Sequence, residues 1–99
     1  MEHKIILATW KTKEKLAEII HSYEEEGWSV AALGEVFGGD LLVLVKDGNR
    51  YKHEIMPVFL KTKEKLKDIL SEKETSDWQV CSIGECFGNV LMIFKKRVS

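Results

Sequence analysis

An internal repeat constrains this chain more than any other feature. Shifted by 50 residues against itself, the sequence matches without a gap: Lys11-Thr12-Lys13-Glu14-Lys15-Leu16 recurs as Lys61-Thr62-Lys63-Glu64-Lys65-Leu66, and Gly34-Glu35-Val36-Phe37-Gly38 as Gly84-Glu85-Cys86-Phe87-Gly88. Trp28-Ser29-Val30 returns as Trp78-Gln79-Val80, and His3 and Ile5 return as His53 and Ile55. Between residues 3–46 and 53–96, 18 of 44 positions are identical, well above chance. The chain is therefore a tandem duplication whose halves must share a layout. Two copies are too few for a solenoid. They make a pseudo-dimer within a single domain, 1–99, with repeat one at 3–46, a connector at 47–52 and repeat two at 53–97.

Each unit reads as strand, helix, strand, strand. Residues 3–10 and 53–60 are rich in Ile, Leu, Val and aromatics and predict a first strand. Pro57 replaces Leu7 there. Because proline cannot donate to a ladder, the strand belongs at a sheet edge. Thr12 and Thr62 are expected helix N-caps. Leu16, Ile19, Ile20 and Tyr23 then follow at i, i+3, i+4 and i+7, and Leu66, Ile69 and Leu70 repeat the stripe, with Lys73 in place of the tyrosine. That is one amphipathic helix per unit. Gly27 suits a left-handed turn after the helix, and Asp77 at the same offset tolerates one. Trp28 to Phe37 predicts a second strand, and Gly38-Gly39 and Gly88-Asn89 a tight hairpin. The third strand, Leu41 to Val45 or Val90 to Phe94, does not alternate, which places it centrally with both faces apolar. The expected class is α+β, with two antiparallel sheets of order 1-3-2, one helix each, related by a pseudo-two-fold axis with both helices outside. Whether the sheets face each other or join edge to edge stays open. A unit of this size is marginal alone, and a face left open implies a further level of association.

Composition narrows the function classes. Apolar residues are 44% of the chain and charged residues 31%, which favours a packed, well-solvated domain over disorder. The net charge of −1 disfavours a nucleic-acid binder without excluding one. No apolar run is long enough to span a bilayer, and the opening residues carry no signal-peptide pattern. No spacing of Cys and His suggests a metal, no catalytic constellation is present, and no cofactor is expected. Cys81 and Cys86 correspond to Ala31 and Val36. Cysteines that exchange with such residues behave as small hydrophobes, which fits a reducing cytoplasm.

Two patterns break local rules and are the candidate sites. Lys11, Lys13 and Lys15 begin the first helix, Glu24, Glu25 and Glu26 end it, and Lys61, Lys63, Lys65 and Lys67 begin the second. Basic starts and acidic ends oppose the helix dipole, at about 0.3–1 kcal/mol per misplaced charge. Lys11, Thr12 and Lys13 with Lys61, Thr62 and Lys63, beside the aromatic Trp10, are thus a candidate site for a phosphate-bearing ligand. The structural reading is two helices with opposed charged ends, or simply solvated faces. Glu35 and Glu85 recur on otherwise apolar strands. Either they are partly buried acids with raised pKa, or they bond neighbours where the hairpin meets water.

Gly27-Trp28-Ser29-Val30 resembles the Gly-Trp-x-hydrophobic signature of short uncharacterised prokaryotic βαββ proteins, a domain of unknown function, and the endings Leu41 to Lys46 and Leu91 to Arg97 resemble theirs. The second copy departs from the signature with Asp77 before Trp78. The resemblance implies a βαββ fold and no assigned chemistry. The sequence expectation is a non-enzymatic interaction or assembly module, a homo-oligomer or bound to a protein partner. The alternative is a binder of a small anionic ligand, nucleotide or short nucleic acid at the basic helix starts.

Overall fold

The computed structural model describes residues 1–9, 11–36, 39–58, 61–86 and 89–98. It is α+β, with the elements β1 (Glu2–Leu7), α1 (Lys13–Glu24), β2 (Ser29–Val36), β3 (Gly39–Lys46), β4 (Arg50–Pro57), α2 (Lys63–Thr75), β5 (Gln79–Cys86) and β6 (Asn89–Val98). Two antiparallel three-stranded sheets form, ordered β1-β3-β2 and β4-β6-β5. The central strands are the two apolar runs, and Pro57 lies on an edge strand, as proline requires. The first strands end earlier than the sequence predicts, at Leu7 and Pro57. Of the predicted hairpin turns Gly38-Gly39 and Gly88-Asn89, Gly38 and Gly88 lie outside the described residues, and Gly39 and Asn89 open the third strands.

The repeats agree in detail. Thr12 and Thr62 cap their helices, each hydroxyl accepting the N–H of Lys15 or Lys65 at 3.2 Å. Gly27 and Asp77 both take a left-handed conformation after the helix, φ +88° and +66°. Each second strand carries a bulge at one offset, at Ala31 and at Cys81. One contact is exchanged: Lys4 lies over the Tyr23 and Trp28 rings in repeat one, whereas Lys73 of repeat two pairs with Glu54 at 2.7 Å and lies over Trp78 and Phe94.

Within each unit the helix covers the same sheet face. Leu16 and Ile20 of α1 pack with Ile6, Val30, Leu33, Leu42 and Leu44, and Leu66 and Ile69 of α2 with Met56, Trp78, Met92 and Phe94. Period-two alternation sends the remaining residues of each central strand to the opposite face. In repeat two that face carries Ile55, Cys81, Leu91 and Ile93, and it packs into the core of repeat one. In repeat one it carries Ile5, Leu7, Leu41, Val43 and Val45, none of which joins either core. Ile5 and Leu7 are 65% and 64% exposed.

The halves therefore do not close by a two-fold axis, contrary to the sequence expectation. A two-fold would set α2 against β1 as α1 lies against β4. Instead α1 packs along β4 and β2, while α2 packs on β5 of its own unit. Nor are both helices equally outside: α1 buries Leu16 and Ile20, and α2 has no buried residue. The open face of repeat two rests on the helix side of repeat one, and among the described residues the reverse packing of α2 on β1 is not made.

β2 and β5 cross closely. Leu33 N–H donates to Ser82 Oγ at 3.0 Å, and a Cβ added at Gly84 would sit 2.8 Å from the Leu33 carbonyl oxygen. At the equivalent Gly34 an added Cβ meets nothing within 4 Å. Gly84→Ala should therefore destabilise the fold by about 1–3 kcal/mol, the usual cost of overpacking, while Gly34→Ala should leave stability within about 0.5 kcal/mol. Chemical denaturation of the two variants checks this.

Candidate functional site

The most developed polar arrangement sits at the junction of the repeats. His53 on β4 is buried between α1 and β2. Its Nδ1 lies 2.8 Å from Glu24 Oε2, and its Nε2 lies 3.0 Å from the Val30 amide nitrogen. The Val30 N–H can only donate, so Nε2 accepts. The Glu24 carboxylate accepts, so Nδ1 carries the proton. The same carboxylate oxygen also accepts the His53 backbone N–H, and Oε1 lies 2.9 Å from Nδ1 of the exposed His21.

This geometry fixes a neutral ring. Burial holds the His53 pKa below the usual 6.5, against the upward pull of hydrogen bonding and charge from Glu24, with Lys95 and His21 adding to the depression. A second proton on Nε2 would face the Val30 N–H. With both ring nitrogens engaged inside the protein, His53 is a clamp between the repeats and has no nitrogen to offer a substrate. Ser82 Oγ, which accepts the Leu33 N–H, acts in parallel: repeat two supplies two side-chain acceptors for N–H groups on the free edge of β2. An uncovered strand edge invites pairing, and this one is covered from within the chain.

Repeat two contains the corresponding position, with no histidine seated in it among the described residues. A groove of about 500 Å³ is lined by Leu70, Glu74, Trp78, Gln79, Val80 and Phe94. Fifty residues earlier stand Ile20, Glu24, Trp28, Ser29, Val30 and Leu44, of which Glu24 and Val30 bond His53.

The residues singled out from sequence fare differently. Thr12 and Thr62 spend their hydroxyls on capping. Lys61 and Lys63 are exposed, and Lys11 and Lys13 half-buried. They start two helices that pack on different strands, α1 on β4 and β2, α2 on β5. Trp10 lies outside the described residues. Glu35 and Glu85 are both exposed rather than buried acids. They pair with Asp40 and Val90 near the hairpin ends, where the sheets project into water. Trp28 is core, but Trp78 is half-buried and lines the groove. Cys81 is half-buried, its thiol donates to the Ile93 carbonyl at 3.3 Å, and burial pushes its pKa up to about 11. It packs as a small apolar residue. Among the described residues no group of three His, Cys, Asp or Glu side chains could hold a metal, and no helix is long and apolar enough to cross a membrane.

Glu24 reads in the sequence only as part of an acidic helix end. The signal that marks it is its identity with Glu74, alongside His3 with His53 and Val30 with Val80. Comparison with protein-family models, curated proteins and solved structures finds no match for this chain.

The His53 clamp makes stability pH-dependent with a defined sign. The unfolded chain takes up a proton near pH 6.5 and the folded chain only at lower pH. The contribution is therefore complete above 6.5 and is lost as pH falls from there towards the folded pKa. His53→Gln should lower the melting temperature at pH 7.5 and flatten the decline between pH 7 and 5. Melting curves across that range measure both effects.

Proposed function

We propose that this chain is a non-enzymatic, self-assembling interaction module. The observation that carries the reading is the uncovered face of the β1-β3-β2 sheet. Ile5 and Leu7 are 65% and 64% exposed beside half-buried Leu41, Val43 and Val45. A row of apolar side chains on one flat sheet face costs solubility and marks an interaction surface. Burying it yields about 25 cal/mol per Å² of apolar area, the usual driving force for association. The net charge of −1 offers little long-range repulsion to oppose contact between copies.

The anion-binding alternative has no comparable support, since the capping hydroxyls are engaged and the basic helix starts pack on different strands. The layout of each unit supports kinship with the Gly-Trp βαββ proteins, which we propose alongside the function.

Sedimentation velocity over a rising concentration series tests the reading. The expected result is a mass above the 11.4 kDa of one chain, restored to that of one chain by Ile5→Lys with Leu7→Lys. A wild-type chain that stays monomeric at high micromolar concentration would refute self-assembly.

A further inference from the structure

Resting on that assembly reading, we infer that copies of this chain associate head to tail, with His3 and Ile5 of one copy seated in the Glu74–Val80 groove of the next, as His53 and Ile55 seat beside Glu24 and Val30 within the chain.

The contact between the repeats is one-directional, so it leaves two unlike surfaces unused. One is the open face of repeat one, the counterpart of the face that repeat two buries. His3 is exposed where His53 is buried, and Ile5 is 65% exposed where Ile55 is partly buried. Leu41 and Val43 are half-buried where Leu91 and Ile93 are at most 1% exposed. Ala31 is exposed where Cys81 is packed, and Gly34 faces open space where Gly84 touches Leu33.

The other surface is the helix side of repeat two, the counterpart of the side that receives His53. Leu70, Val80 and Ile83 are 36%, 46% and 50% exposed, whereas Ile20, Val30 and Leu33 are 1%, 0% and 6%. The exposed large hydrophobics of repeat two are thus the equivalents of residues buried in the internal contact. Leu70 and Val80 line the groove, whose Glu74 and Val80 match the two groups that hold His53.

The internal contact therefore shows what covers each surface. The open face of repeat one fits the helix side of a repeat, and one such side is unoccupied on every copy. His3 supplies the imidazole and Glu74 the carboxylate, Val80 stands at the edge position of Val30, and Gly34 permits the close approach to Ile83 that Gly84 makes to Leu33. One bond has no counterpart: Ala32 replaces Ser82 and cannot accept a strand-edge N–H. The intermolecular contact is then weaker than the internal one. A heterologous contact of this kind builds a ring if its rotation closes and a filament if it does not.

Two crippled chains decide the matter. His3→Ala with Ile5→Lys removes the inserting face, and Val80→Lys with Ile83→Lys removes the receiving groove. Each variant alone should run as a monomer in size-exclusion chromatography with light scattering. Mixed in equal amounts, they retain one intact face and one intact groove between them, so they should form a dimer of twice 11.4 kDa that grows no further. That rescue also shows that both variants are folded. Gly34→Ala should shift wild-type assembly to higher concentration without lowering the melting temperature. If the Val80/Ile83 variant still associates with itself while the His3/Ile5 variant does not, the contact is face to face. The head-to-tail inference then falls while self-assembly stands. If both variants assemble as the wild type does, the contact lies elsewhere and the inference falls. If the wild type is monomeric, both fall.

Discussion

The structure depends on how one apolar sheet face is covered. A βαββ unit has a helix for only one side of its sheet, and a central strand that is apolar throughout leaves the other side needing a partner. In repeat two that partner is repeat one. Ile55, Leu91 and Ile93 enter the core built around Leu16, Ile20, Leu42 and Leu44. His53 and Ser82 meanwhile provide acceptors for the edge of β2. Hydrophobic burial supplies the driving force, but it is non-directional. The buried imidazole fixes the alignment, because its two nitrogens find a donor and an acceptor together only in one seating.

The consequence is asymmetry from two halves of the same layout. A two-fold docking would cover both open faces or neither. The observed docking covers one and leaves the other in water, so the same residue types meet opposite fates. Ile20 is 1% exposed and its counterpart Leu70 36%, and Leu33 is 6% exposed against 50% for Ile83. The helices follow suit, α1 with two buried residues and α2 with none. Repeat two is the polar half on its helix side, with Lys67 and Lys73 where repeat one has Ala17 and Tyr23. That composition suits a surface that meets water in the single chain.

The polar residues at the junction are structural in character. His53 is surrounded by groups that titrate or carry charge, with Glu24 and His21 on the helix and Lys95 on the neighbouring strand, yet burial outweighs them and keeps the ring neutral. A neutral, doubly bonded imidazole is a positioning device. Its cost is sensitivity to acid, since any proton taken up must displace the Val30 N–H from Nε2.

The duplication, the βαββ layout, the central place of the apolar strands, the edge place of Pro57 and the caps at Thr12 and Thr62 are all legible in the order of residues. All of these follow from period, proline chemistry and side-chain capping, which act over a few residues and are read the same way in both copies. The same order also carries the marks of the junction, in the paired identities of His3 with His53 and Glu24 with Glu74, without saying which pair would be used. The choice between the pairs is made in the folded chain, where His53 meets Glu24. Which half covers which depends on packing between segments roughly fifty residues apart, and an ungapped repeat offers equivalent surfaces on both sides. For the same reason Glu35 and Glu85, which look buried on an apolar strand, emerge exposed: the pattern tells which face a residue takes, but not how far along the strand the core extends.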